Sequence, residues 1–302
     1  MKPIIKSSNF FISLLFIILL FFKDSVFAIK VKSMVVFGDS YSDDGNGVFK
    51  LSDGTFPPTP YFEGRFSNGP VWIEYLSKKL DIKPENYENY ATGGATVNTM
   101  SVPSASGFND EIEVPGIRQQ VNNYVTEAHD EGIGSKGVED LFVVTSFGND
   151  YFYSIRHGPD VVSPEQVIGQ FITNLQTLYI EFGAVNFLVA TLPDISTFPG
   201  FSRSSESERA FLSKLVQSHN MILKQALDVL KVDFKKIKTF VIDTDKIFKK
   251  FSKENSNIPC VNINHYGTLV CDNPDNYLFW DNLHVTTIVH EAIATEAFNI
   301  LS

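Results

Sequence analysis

Short, unbroken apolar runs alternate along this chain with longer segments whose apolar residues recur every three or four positions. Met34-Val35-Val36-Phe37 stops at Gly38, and Leu141 to Val144, Phe187 to Ala190 and Phe240 to Ile242 have the same character. A run with no polar side predicts a strand covered on both faces, as parallel sheets require. Asn89 to Ala91 reads as one more short strand. Helical spacing predicts helices between them. Pro70 opens one that carries Val71, Trp72, Tyr75, Leu76 and Leu80 on a single face, and Ile117 to Ala128 forms the next. Ser163-Pro164 caps a long pattern that runs to Phe182 and stops at Gly183. Ser205 to Leu230 and Thr286 to Leu301 complete the set.

This alternation predicts a three-layer α/β sandwich, a mainly parallel five-stranded sheet with helices on both sides. Residues 51–69 and 255–280 read as the longest stretches without regular structure. No linker, repeat or low-complexity tract divides the pattern, so residues 29–302 are expected to form a single domain. In such a sheet the functional groups belong on loops at the carboxyl ends of the strands.

The first segment follows a different logic. Lys2 and Lys6 precede 13 residues from Phe10 to Phe22 that are apolar except for Ser13, and Val26-Phe27-Ala28 follows. This is the layout of a secretory leader, residues 1–28, cleaved after Ala28. An uncleaved anchor is the alternative, and a spanning helix needs about 20 apolar residues. Export to the extracellular space is therefore expected, with Ile29 as the first mature residue.

Composition sharpens the class. The chain has 302 residues, 43% of them apolar, and a formal charge of −10, which argues against nucleic acid as a partner. Without the leader the charge is −12, from 22 basic and 34 acidic residues. The two cysteines are too few for a disulfide framework or a four-thiolate zinc site. Cys260 and Cys271 enclose ten residues. In an oxidising compartment a disulfide there would contribute about 3 kcal/mol in the chain-entropy model; two unrelated buried thiols are the alternative.

Four segments could carry chemistry. Ser40 follows the first strand in Phe37-Gly38-Asp39-Ser40, a tight turn that would expose its hydroxyl at the sheet edge. An ordinary Asx turn would have the same sequence. Thr92-Gly93-Gly94-Ala95 lets backbone N–H groups approach a substrate closely. Asn149, after the Leu141 strand, offers an amide donor that does not titrate. In Asp281-Asn282-Leu283-His284 the carboxylate can fold back on the imidazole, fix its tautomer and leave Nε2 free to take a proton. Ser40 alone is as compatible with structure as with catalysis, and each of the other three alone is more often structural.

Taken in order, GDS at Ser40, NYATGGA with Gly94, GND at Asn149 and DNLH at His284 resemble the GDSL lipases, or SGNH hydrolases. FGDSYSDDGN and GRFSNGPVW (Gly64 to Trp72) resemble the lipase/phospholipase branch. Tyr41 stands where the family commonly has leucine, a change expected not to touch the chemistry. The resemblance implies a flavodoxin-like SGNH fold and a serine esterase. Ser40 would be nucleophile, His284 general base and acid, and Asp281 its orienting carboxylate. The N–H groups of Ser40 and Gly94, with the Asn149 amide, would form the oxyanion hole; Gly93 is the neighbouring candidate. Leu192-Pro193-Asp194 matches a further block, expected to line the substrate cleft.

The likeness is nearest to secreted bacterial phospholipase A and lysophospholipase A enzymes of the Legionella type and to glycerophospholipid–cholesterol acyltransferases. It implies a phospholipid or lysophospholipid substrate and cholesterol as an acyl acceptor. It also implies peripheral contact with membrane or micelle surfaces, and activation by a protease that cuts the Cys260–Cys271 loop. No cofactor or metal is implied. A carbohydrate or aryl esterase and a non-catalytic binding protein are the alternative classes.

Other signals carry less. The G-x-G-x-x-G at Gly132 to Gly137 follows a helix and precedes a strand, the reverse of a dinucleotide site. Lys231 to Lys253 holds eight lysines and three aspartates, read as a solvated face. His129, His157, His219, His265 and His290 are read as surface or satisfied core residues.

Overall fold

The computed structural model describes residues 29–132, 138–157, 161–251, 255–264 and 267–302. The expected leader, most of the G-x-G-x-x-G segment and His265 lie outside the described residues.

Five strands form the central sheet: β1 (Ser33–Phe37), β2 (Tyr87–Asn89), β3 (Asp140–Val144), β4 (Asn186–Ala190) and β5 (Lys238–Ile242). Their order is β2-β1-β3-β4-β5, and every neighbouring pair is parallel. The expected sheet is therefore present, and all of it is parallel. Met34 to Phe37 and Leu141 to Val144 are fully buried, as continuous apolar runs between two helical layers must be.

One layer holds α1 (Trp72–Lys79) against α7 (Thr287–Leu301), and the other packs α4 (Pro164–Phe182) between α2 (Ile117–Asp130) and α5 (Glu206–Asp233). At the start of α4, Ser163 Oγ accepts the Gln166 N–H while Gln166 Oε1 accepts the Ser163 N–H, and Gly183 ends the helix at φ +69°. Two further helices, α3 (Asn149–His157) and α6 (Thr244–Lys250), follow β3 and β5 directly.

Two expectations need correction. The edge strand lies two residues earlier than expected, at Tyr87–Asn89, because a half-buried edge needs no apolar run. Residues 255–264 and 267–280 are structured. β6 (Asn255–Pro259) pairs in parallel with β9 (Tyr277–Phe279), and between them β7 (Val261–Asn264) and β8 (Gly267–Val270) form an antiparallel ribbon. Cys260 and Cys271 are disulfide-bonded at its base.

Candidate active site

The serine turn is built by side chains beneath it. Gln120, buried in α2, accepts the Gly38 N–H and donates to the Gly38 carbonyl, both at 2.9 Å. A Cβ on Gly38 would lie 2.9 Å from Thr145 Oγ1, so only glycine lets β1 pass β3 here. The next carboxylate, Asp39, is fully buried and accepts the N–H groups of Tyr41 and Phe147, which joins the serine turn to the loop after β3. Burial pushes the Asp39 carboxyl up to about 6 against the pull of those donors. The backbone then turns, with Ser42 N–H and Asp43 N–H donating to the Asp39 carbonyl. Ser40 is left at the floor of a cleft.

Asp43 organises the second loop. Its oxygens accept four N–H groups, from Gly45, Gly47, Val48 and Gly93. Burial again outweighs the donors and lifts this carboxyl to about 6. Gly93 thus spends its N–H on Asp43. Gly94 lines the cleft, and among the described residues neither its N–H nor that of Ser40 has a protein acceptor. Gly94 sits at φ +87°, where a Cβ would fall 2.1 Å from the Ala105 carbonyl oxygen, so both the turn and the space demand glycine. Asn149 opens α3 and donates from Nδ2 to the Ala95 carbonyl at 3.0 Å. That bond uses one amide hydrogen and leaves the second for the cleft.

The histidine loop folds as its spacing predicts. Asp281 Oδ1 accepts the N–H groups of Leu283 and His284, both at 2.7 Å, and Oδ2 lies 2.7 Å from His284 Nδ1. A second donor reaches Oδ2: the Tyr61 hydroxyl, at 2.7 Å. Burial pushes the Asp281 carboxyl up, but His284, Tyr61 and the Leu283 N–H more than offset it and hold it below the usual aspartate value. An ionised Asp281 accepts from Nδ1–H, which makes His284 Nε2 the basic nitrogen of the neutral ring. Nε2 stands 2.9 Å from Ser40 Oγ.

Ser40, Gly94, Asn149, Asp281 and His284 therefore converge on one cleft of about 370 Å³, whose apolar wall includes Phe56, Phe66, Phe108, Val261 and Ile263. A hydroxyl, an imidazole oriented toward it and unspent N–H donors on one concavity make an arrangement with the geometry that acyl transfer requires. A matching family profile decides the class: the GDSL-like Lipase/Acylhydrolase profile covers residues 34–297.

The chain belongs to the GDSL-like lipase/acylhydrolase family. Thermolabile hemolysin of Vibrio parahaemolyticus is 28% identical over 88% of this chain and 62% of its own length. The secreted effector SseJ of Salmonella typhimurium is 29% identical over 89% and 64% respectively. The chain thus spans somewhat less than two thirds of these relatives. The phosphatidylcholine-sterol acyltransferase of Aeromonas hydrophila is 30% identical over 63% of this chain and 52% of its own. The crystal structure of a GDSL-like lipase from Parabacteroides merdae shares the fold, with a TM-score of 0.50 at 11% identity over 90% of this chain and 97% of that one.

In this GDSL chain the Leu192-Pro193-Asp194 block does not line the catalytic cleft through Asp194. Asp194 caps the turn Ile195–Thr197, accepts from Ser196 and Ser213, and borders a separate groove of about 750 Å³ beside α5 and α6. Three contributors escaped the sequence reading. Gln120 was visible as a polar residue on the apolar face of α2, among Ile117, Val121 and Tyr124. Tyr61 lies in a proline-rich loop with no local signal. Tyr41 is not neutral to the site: its hydroxyl donates to the Leu283 carbonyl at 2.7 Å and its ring stacks on Phe147, tying the serine turn to the histidine loop. His290 and His219 are satisfied core residues. The first accepts the Trp72 N–H, the second pairs with the Tyr151 hydroxyl, and burial holds both down at about 3.

Proposed function

We propose that this chain is an exported lysophospholipase A or phospholipase A that can also pass the acyl group to cholesterol. The 2.9 Å approach of His284 Nε2 to Ser40 Oγ carries the reading. Ser40 Oγ attacks the ester carbonyl as its proton passes to His284 Nε2, and Asp281 steadies the imidazolium. The oxyanion that forms is held by the N–H groups of Ser40 and Gly94 and by Asn149 Nδ2. Collapse breaks the ester C–O bond, and His284 returns the proton to the departing alkoxide. Water, or an acceptor alcohol such as cholesterol, then attacks the acyl-serine with the same histidine as base, which releases fatty acid or a new ester and restores Ser40.

Lipid is favoured by the cleft wall. Its aromatic and aliphatic side chains suit an acyl chain, and Arg156, half exposed at the same cleft beside Asp110, offers a guanidinium to a phosphodiester. Hemolysin and sterol acyltransferase relatives support the same choice. Export is supported by the leader pattern and by the Cys260–Cys271 bond, which an oxidising compartment would preserve. The ten residues that the bond encloses are also the proposed target of an activating protease.

The test is fatty-acid release from a panel of phospholipids and lysophospholipids, with and without cholesterol. Release from lysophosphatidylcholine, and cholesteryl ester when cholesterol is present, is expected. Cleavage of acetylated sugars or aryl acetates with no release from any phospholipid would replace this reading by a carbohydrate or aryl esterase.

A further inference from the structure

The β7–β8 ribbon lies beside the cleft and is unlike the rest of the surface. Residues 255–271 contain no Asp, Glu, Lys or Arg, in a chain where one residue in five is charged. Within it Ile258, Ile263, Leu269 and Val270 are each 40–68% exposed. The register pairs Leu269 with Asn262 and places Val270 opposite Val261, so Leu269 and Val270 project from opposite faces of the ribbon. The fold anchors the base of one face, where Val261 is buried against Cys260 and Trp280, and leaves Leu269 and Val270 exposed beyond it.

Position supplies the second argument. Val261, Asn262 and Ile263 form part of the cleft wall, and Phe108, another cleft residue, is 63% exposed. The apolar rim is therefore continuous with the site where the ester must enter. Without the leader the chain carries −12, so an anionic surface would repel it, whereas an uncharged apolar ribbon binds without Coulomb attraction.

We propose that β7 and β8, with Phe108, form the surface by which the enzyme seats on zwitterionic aggregated lipid, shallowly inserting Leu269 and Val270 so that the cleft mouth faces the interface. The proposal rests on the lipid-ester reading of the cleft. It predicts attachment that is insensitive to salt, since exposed-charge attraction is screened and apolar burial is not.

The experiment uses the exported protein carrying Ser40→Ala, so that lipid is not consumed, and dioleoylphosphatidylcholine vesicles in a flotation assay at 50 and 500 mM salt. Vesicle binding at both salts is expected, with at least about tenfold loss on adding Leu269→Asp and Val270→Asp. In the active background the same pair should cut turnover of micellar lysophosphatidylcholine about tenfold and leave hydrolysis of dissolved p-nitrophenyl butyrate unchanged. A Leu269→Trp variant gives a readout that does not depend on those charges: its emission should shift to the blue on adding vesicles. Undiminished binding by the double variant, an unshifted tryptophan, or loss of binding at high salt would each overturn the proposal. So would a concentration-dependent dimer that Leu269→Asp dissociates, since the ribbon would then face a second copy. Failure to hydrolyse either ester would instead count against the lipid-ester reading, and vesicle binding would still be measured.

Discussion

The Tyr61 hydroxyl donates to Asp281 Oδ2 at 2.7 Å, from a loop 220 residues away in sequence. Asp281 therefore holds four donors, two on each oxygen. Tyr61 fixes the carboxylate that fixes His284. Tyr61→Phe should lower kcat/KM by about 10- to 150-fold, the loss of about 1.5–3 kcal/mol expected for a bond to a charged group that orients the base. It should change KM little. Steady-state kinetics on a soluble ester checks this, and an unchanged kcat/KM would show that Asp281 is held without Tyr61.

Asn149→Ala should lower kcat by about 10²- to 10³-fold, the usual loss for one oxyanion donor. The Ala95 carbonyl would also lose its amide partner. Unfolding midpoints measured alongside separate a catalytic loss from a folding one. Full activity in a folded variant would remove Asn149 from the oxyanion hole.

Arg156→Ala should separate substrates by their headgroup. Lysophosphatidylcholine turnover should fall by about tenfold or more, because a charge-assisted bond to phosphate is lost. Hydrolysis of a monoacylglycerol with the same acyl chain should fall much less. Equal losses on both would assign Arg156 to the packing of the cleft, through its ion pair with Asp110.

Asp150 gives a pH-dependent signature in stability. It is 2% exposed, both its oxygens accept the Val97 N–H, and burial, only partly opposed by that donor, lifts its carboxyl to about 7. A folded pKa above the unfolded one means that the folded state binds the extra proton. This contribution to stability is whole below about pH 4 and is lost as pH rises through 7. Relative to the wild type, Asp150→Asn should therefore gain stability between pH 5 and pH 8, on the order of a few kcal/mol. Denaturant titrations at both pH values check the sign. A gap that does not widen would mean that Asp150 stays ionised throughout.

Much of the framework was legible because buried parallel strands and capped helices have strong local signatures. Met34 to Phe37 and Leu141 to Val144 are apolar on both faces because both faces are covered, and the Ser163 and Gly183 caps bound α4 as expected. The chemical residues were legible because each follows a strand or shares a short loop with its partner. Asp281 and His284 need only three residues to meet. Tyr61, Tyr41 and Asp194 depend instead on which loops come together, and nothing within a few residues of them reports that. The β6 to β9 region was hidden for a related reason: its Asn- and Pro-rich strands are held by pairing across the disulfide rather than by apolar periodicity.

The claim beneath the whole account is that His284 activates Ser40, and a covalent probe tests it most directly. A fluorophosphonate should add to the folded protein with one-to-one stoichiometry, and peptide mapping should place the adduct on Ser40. His284→Ala should slow that labelling by several orders of magnitude while leaving the fold intact. An inert wild-type protein, an adduct on another residue, or undiminished labelling in His284→Ala would contradict it.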